Sequence, residues 1–455
     1  MAREVTLTEI LDAREARSLR QSALLVRHAV PVVSFTLNIA GPVKDSPLLR
    51  RTFRAGIEAL ERGLAAWNLP VLDREERLQV TGCEALYAVS GSGEKIKRLC
   101  VSIEEGSPLG RLFDLDVLTP DGGRPDRVSA GGGERGCIVC GAPGRGCASR
   151  RVHSVPELQE AARRIIVSHF AAADGERAAA LATRALLDEV CVTPKPGLVD
   201  RANSGSHRDM DIFTFTASAA ALAPYWARCA AIGRDTAGQP PRAAFLALRR
   251  AGQAAERTML SATAGVNTHK GAIFTLGLLC GAVGRLWRPE APCREPEALL
   301  AECAALASVS LEEDLAVLPA GEETATAGER LYRELGITGV RGEAARGLPG
   351  VRDAALPALR LALASGRNRN DAGAAALIHL LARVEDTNMI ARGGSRAARA
   401  AQAACAALLE NNPLPGPEDI AALDREFIRG DLSPGGCADL LAAAFFLLSW
   451  EEEAP

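Results

Sequence analysis

An α+β domain followed by an all-α domain is the fold class the sequence predicts, and three observations carry it. Period-2 alternation of apolar and polar residues, with Gly-rich turns, is confined to residues 1–150. Residues 151–455 are rich in Ala and Leu and fall into helical runs broken by short polar segments, with no useful strand-like alternation and no fixed repeat. A chain of 455 residues would make about three average domains. The pattern changes only once, so two domains are expected, at 1–172 and 173–455.

Thr6 to Leu25 sets Ile10, Leu11, Ala13 and Leu19 at helical spacing, and Leu48 to Trp67 does the same with Phe53, Ile57, Leu60 and Leu64. Between them Val33, Phe35, Leu37 and Ile39 alternate with Ser34, Thr36 and Asn38, which predicts a half-buried strand. Leu99, Val101 and Ile103 alternate in the same way, Gly106–Gly110 turns, and Leu112–Leu118 returns, so a hairpin is expected with Glu104 on its polar side. Gly122–Gly146 reads as a long loop or a ligand-bound knot. Ser154, Pro156 and Glu157 form a capping box that opens a helix, and Asp174-Gly175 is expected to end it. Helices are then expected over Glu176–Val190, Ile212–Ala231, Ala243–Leu260, Ala272–Leu286, Glu297–Ser310, Leu356–Ala364, Ala372–Val384, Arg396–Leu409 and Ala438–Trp450.

Composition excludes several classes. A hydrophobic share of 47% with 24% charged residues is that of a folded globular protein. A net charge of -3 supplies no global field for nucleic acid or anionic membrane, and 4% aromatics is too few for a base-stacking platform. The N-terminus lacks an apolar signal segment, and the longest apolar run, Leu440 to Trp450, is too short to cross a bilayer. A cytoplasmic protein is expected, with its 12 cysteines mostly reduced.

The sharpest motif of the first domain is Gly110-Arg111-Leu112-Phe113-Asp114-Leu115-Asp116-Val117. On a strand Asp114 and Asp116 share a face. With Glu104 they would form an acidic cluster that divalent metal neutralises, the Mg²⁺ arrangement of nucleotidyl transfer. The same spacing also fits a solvated strand face with ordinary surface acids. Gly41-Pro42-Val43-Lys44 is a candidate phosphate contact or a plain turn. Cys137-x-x-Cys140, Cys147 and His153 have ligand types and spacing for Zn²⁺, although Arg145, Arg150 and Arg151 among them could instead bind phosphate.

Over residues 1–170 the chain resembles the apo-citrate lyase phosphoribosyl-dephospho-CoA transferase family. The resemblance rests on Arg14–Arg17, Ser34–Lys44, Thr81–Tyr87, Gly110–Val117 and the cysteine run leading to His153-Ser154. It implies a nucleotidyltransferase-like domain. The implied reaction transfers a prosthetic-group precursor from a triphosphate donor to a serine of the citrate lyase acyl carrier protein, releasing pyrophosphate. Arg111 and Lys44 would hold phosphate.

Four polar segments punctuate the second domain. Thr193–Asp200 continues to Gly205–Asp211 and gathers Lys195, Asp200, His207, Asp209 and Asp211, a mixture suited to a Mg-nucleoside triphosphate. Gly265-Val266-Asn267-Thr268-His269-Lys270-Gly271 precedes a helix, where free N–H groups favour anions. The others are Gly339–Ala344, with Arg341 and Glu343, and Glu385–Asn388 leading to Arg392-Gly393-Gly394. Each also fits a capped helix connection. None is a Walker, Rossmann or kinase signature.

In order and content these segments resemble the triphosphoribosyl-dephospho-CoA synthase family over residues 176–450. The resemblance implies an all-helical fold that joins ATP to 3′-dephospho-CoA and releases adenine. Glu329, Glu343 and Asp386 are the candidate catalytic carboxylates. Lys195, His207, Asn267, His269, Lys270, Arg341, Asn388 and Arg392 would bind substrate, and Asp200, Asp209 and Asp211 would hold Mg²⁺. Similar proteins tend to have Thr-His-Gly-Glu where this chain has Thr326-Ala327-Gly328-Glu329, so Ala327 replaces a His. Two rival readings are the equivalent prosthetic-group enzyme of malonate decarboxylase and a non-catalytic zinc-binding interaction protein.

Overall fold

The computed structural model describes residues 3–316 and 337–452. The chain divides into two compact units, Met1–Ala172 with Pro289–Ala291, and Ala173–Arg288 with Pro292–Pro455.

The first unit opens with α1 (Leu7–His28), whose Thr6 and Glu9 make a reciprocal cap. There follow β1 (Val32–Leu37), α2 (Pro47–Ala66), β2 (Val71–Gln79), β3 (Gly82–Val89), α3 (Gly93–Glu105) and β4 (Phe113–Leu118). The strands form one antiparallel sheet in the order β2-β3-β1-β4. Phe35 of β1 stacks on Phe53 of α2 at 4.9 Å and meets Phe113 of β4 edge-on at 5.4 Å, which anchors the apolar face. The opposite face is mixed: Val32 and Leu86 pack with Leu24 of α1 in a small apolar cluster beside the polar residues. Register places Thr36 beside Asp114 and Ser34 beside Asp116, and α1 covers part of this face, with Gln21 donating to Ser34 at 2.9 Å.

Two expectations are corrected here. Residues 99–103 form the middle of helix α3, not a strand. Their alternation coincides with a helical face on which Ile96, Cys100 and Glu104 are buried at i, i+4 spacing. The partners of β1 are β4 and β3, and the β2–β3 hairpin was not expected.

Gly144–Ser149 forms a short helix, α4, and α5 spans Val155–Cys191. The Ser154/Glu157 cap is present, with Ser154 N donating to Glu157 at 2.7 Å. Asp174-Gly175 does not break the helix, because helical turns on both sides carry the ladder through a single Gly. The second unit continues with α6 (Ile212–Asp235), α7 (Pro241–Ala262), α8 (Lys270–Arg285), α9 (Pro296–Ala316), α10 (Gly339–Ala345), a π turn (Gly350–Ala355), α11 (Leu356–Ala364), α12 (Arg369–Leu381), α13 (Thr387–Asn411), α14 (Pro417–Arg429) and α15 (Gly435–Glu452). α15 is apolar all round and packs against α8, α9, α11, α12 and α13. The Leu440–Trp450 run is therefore core, and no helix among the described residues is long and apolar enough to cross a membrane.

Candidate functional site

In the helical unit, α8, α13 and α15 begin at one cavity of about 1230 Å³. Carboxyls already occupy much of these helix ends: Asp386 accepts from Asn388 and Met389 of α13 and from Cys437 of α15, and Asp439 from Ala272 of α8. All four polar segments reach this cavity. Lys195, His207, Asn267, His269, Lys270, Arg341, Glu343, Asp386, Asn388 and Arg392 line it. Glu329 and Ala327 lie outside the described residues.

The expected Mg²⁺ ligands of this unit are not brought together. Asp200 is buried and accepts from the backbone N–H of Lys195, Ala202 and Asn203, closing its own loop. Asp211 caps α6 through Thr214. Asp209 is exposed, 3.9 Å from His207. None of the three lines the cavity.

Lys195 is 1% exposed and donates to the equally buried Glu189 at 2.5 Å. Burial pushes the Glu189 carboxyl up and the Lys195 ammonium pulls it back. Asp386 caps α13 and bridges to α15, accepting from Asn388, Met389 and Cys437 N–H groups. Its burial still raises it above the usual carboxylate range. Glu343 accepts from Gly350 N–H and pairs with Arg346 at 3.3 Å. Arg392 is held by Asp431 at 2.6 Å and by the Ser206 carbonyl.

His269 is buried against Phe215, its Nδ1 2.7 Å from Ser218 Oγ, which accepts in turn from Thr268 Oγ at 2.8 Å. The direction of the Ser218–Nδ1 hydrogen bond goes with the ring tautomer, and Nε2 is buried with no protein partner. Burial first, and the Lys195 charge second, push His269 down to about 3, so the ring is neutral near pH 7. His207, 2.7 Å from Ser433 Oγ, is also lowered, by burial and by Arg392.

Asp439 and Glu189 lie on the cavity wall and were not expected. Asp439 is the fifth residue of α15 and lines the cavity. Desolvation raises it well above the usual range, Glu189 and Asp386 raise it further, and a hydrogen bond from Ala272 N–H opposes them. For Asp439 the available signal was Gly271 at the start of α8, since a glycine admits the close approach of its carboxyl.

In the first unit Asp114 and Asp116 share the polar face of β4, Asp114 half-buried and Asp116 exposed. Burial, then the Asp116 charge, raise Asp114, and Arg135 opposes them. Glu104 does not complete an open cluster. It is 3% exposed, accepts from Leu115 N–H at 3.0 Å and is ion-paired by Arg127 and Arg135. Arg111 donates to the Gly136 carbonyl rather than facing free space. Lys44 folds back onto the Ile39 carbonyl, and its ammonium is lowered by burial and by Arg14. The expected set missed Arg17 and Arg20, which pair with Glu84 on the mixed sheet face. Cys137, Cys140, Cys147 and His153 come together, with ligand atoms within 4.8 Å of one another, and no acidic set among the described residues does so.

Comparison with known proteins agrees with this division. Residues 5–169 match the family model of apo-citrate lyase phosphoribosyl-dephospho-CoA transferase, and residues 175–455 match that of ATP:dephospho-CoA triphosphoribosyl transferase. "Protein CitXG" of Haemophilus influenzae is 32% identical over 98% of this chain and 97% of its own length. "Protein CitXG" of Leuconostoc mesenteroides is 32% identical over 97% of each chain. A probable 2-(5''-triphosphoribosyl)-3'-dephosphocoenzyme-A synthase of Vibrio cholerae is 43% identical over 59% of this chain and 86% of its own. The chain is a transferase, and it belongs to the CitXG family, in which these two transferase domains are fused.

Proposed function

We propose that the protein makes and attaches the prosthetic group of citrate lyase in the cytoplasm. The helical unit would convert ATP and 3′-dephospho-CoA to 2′-(5″-triphosphoribosyl)-3′-dephospho-CoA and adenine. The first unit would pass that product to a serine of the citrate lyase acyl carrier protein and release pyrophosphate. The observation that carries the reading is the convergence of four sequence-distant polar segments on one cavity of about 1230 Å³. That exceeds the several hundred Å³ that hold one drug-sized ligand, about 300–1,000 Å³, and suits two nucleotide substrates together.

In the first reaction the 2′-hydroxyl of dephospho-CoA attacks C1′ of the ATP ribose. The C1′–O bond forms, the C1′–N bond to adenine breaks, and the triphosphate stays on the ribose. The transition state is oxocarbenium-like, so carboxylates stabilise it and exchange its protons. Asp439 is the group suited to protonating departing adenine, since its surroundings favour the neutral acid. Glu343 is suited to accept the hydroxyl proton. Asp386, its oxygens taken by three backbone N–H groups, positions the first turns of α13 and α15. His269, Lys270, Arg341 and Arg392, which line the cavity, bind phosphate.

In the second reaction the carrier serine oxygen attacks the α-phosphorus and the bond to pyrophosphate breaks. Asp114 and Asp116 would hold a Mg²⁺ ion, which supplies charge neutralisation on the triphosphate. Their shared face and mutual repulsion suit a cation. Glu104 orders the β4 backbone behind them.

The test is direct. Protein incubated with ATP, Mg²⁺ and dephospho-CoA should release adenine in step with substrate consumption, and no release refutes the first assignment. Added apo carrier protein should gain the mass of the prosthetic group, and unchanged carrier mass refutes the second.

A further inference from the structure

The loop between β4 and α5 holds a constellation that neither reaction uses. Cys137, Cys140, Cys147 and His153 each offer one ligand atom, and the four atoms lie within 4.8 Å of one another. A tetrahedral ion with Zn–S near 2.3 Å and Zn–N near 2.0 Å sets its ligands about 3.5–3.8 Å apart. Cys140 Sγ and Cys147 Sγ are 3.6 Å apart, which matches that edge and is far from the ~2.05 Å of a disulfide.

The backbone is shaped around the same point. Gly141, at φ +75°, returns its N–H to the Cys137 carbonyl at 2.9 Å, and Cys137 N–H donates to the Ala142 carbonyl at 2.6 Å. The Val139 N–H points at Cys137 Sγ from 3.4 Å. An amide aimed at sulfur favours thiolate over thiol. His153 Nε2 is buried with no hydrogen-bond partner, an atom that ordinarily demands one. A metal ion satisfies it.

We propose that these four side chains bind one zinc ion as a closed structural site. Three thiols release their protons to solvent as the thiolates bind, and the imidazole binds through Nε2. Four protein ligands leave no position for substrate, so the ion is structural rather than catalytic. Its contribution is to order a loop with little other regular structure. Between β4 and α5 the chain forms only the six-residue helix α4 and one isolated bridge, Gly136 to Pro143. The loop carries Arg135, which donates to the Phe113 carbonyl at 2.9 Å and pairs with Glu104. It also receives Arg111 on the Gly136 carbonyl. The zinc loop thereby fixes the cationic neighbour of Asp114.

The full chain, purified under reducing conditions without chelator, should carry about one zinc per molecule by atomic emission. Exchange for Co²⁺ should give the intense visible bands of a tetrahedral thiolate complex. Cys140→Ser should lose its metal to a chelator that leaves the parent loaded, a weakening of at least about tenfold. His153→Cys keeps four ligands and should stay loaded, with stronger sulfur-to-cobalt charge transfer than the parent. This arm separates ligation from a folding defect in Cys140→Ser. The proposal fails if the parent holds no zinc even after zinc is supplied. It fails equally if Cys140→Ser and His153→Ala keep the parent's affinity and cobalt spectrum, or if reducing-condition mass spectrometry finds Cys140 and Cys147 disulfide-bonded.

Discussion

Gly271 and Asp439 approach so closely that a Cβ built on Gly271 would lie 1.9 Å from Asp439 Oδ2. Gly271 is the second residue of α8 and Asp439 the fifth of α15, so only a residue without a side chain lets the carboxyl reach the α8 N-terminus. Gly271→Ala should therefore displace the carboxyl rather than merely crowd it. Adenine release is expected to fall about a hundredfold, the usual cost of a misplacement near 1 Å. Steady-state assay should show the loss in kcat. An unchanged kcat would remove Asp439 from the reaction.

Asp439 should also trade stability for function. Its folded pKa is raised well above the ordinary 3.8, so the folded chain holds a proton that the unfolded chain has released. Stability from this group is present at low pH and is lost as pH rises through the raised value. Asp439→Asn keeps the acceptor for Ala272 N–H and removes the charge. The variant is expected to melt higher than the parent at mildly alkaline pH while adenine release drops about a hundredfold or more. Melting curves at several pH values, read beside the kinetics, check both signs.

His269 works in the opposite direction. Its folded value of about 3 lies below the ordinary 6.5. Between those values the unfolded chain binds a proton that the folded chain refuses. Stability is thus full above the unfolded value and is lost as pH falls. The parent should lose melting temperature between pH about 7 and about 5 more steeply than His269→Gln. Equal slopes would show that the ring is not held neutral.

The second unit was legible because 3.6-residue periodicity over long Ala- and Leu-rich runs has few competing readings. The charged segments between those runs stood out for the same reason. Asp439 and Glu189 did not, since each lies inside a continuous helix where a lone acid reads as solvated surface. The first unit was harder. In β2 the sequence Val71-Leu72-Asp73-Arg74-Glu75-Glu76-Arg77-Leu78-Gln79 is an exposed edge with no alternation to find. In α3 the apolar residues 99, 101 and 103 mimic a strand, and what decides the matter is remote. Glu104 faces inward because Arg127 and Arg135 of a later loop neutralise it and Leu115 of β4 donates to it.

That environment separates Glu104 from its acidic neighbours. Glu104→Gln removes the charge that two guanidiniums neutralise in a nearly buried place, so it should cost about 3 kcal/mol of stability. Asp116→Asn, on an exposed strand face, should leave the melting temperature within about a degree or two and stop transfer to the carrier protein. Thermal melts paired with carrier mass spectrometry distinguish the roles. A destabilised Asp116→Asn with intact transfer would reverse the assignment.

The Lys195–Glu189 pair makes the last prediction. Both are buried and 2.5 Å apart, so removing either leaves an uncompensated charge or forces a proton exchange. Lys195→Met should destabilise by about 3–5 kcal/mol. Lys195→Met with Glu189→Leu should recover most of that loss, because an apolar pair of similar volume needs no neutralisation. Lys195 also raises the cost of charging His269, so the double variant should move the acid limb of the melting profile toward higher stability at low pH. Denaturant titration at two pH values checks both effects. If the double variant is no more stable than the single, the pair is held by packing rather than by charge.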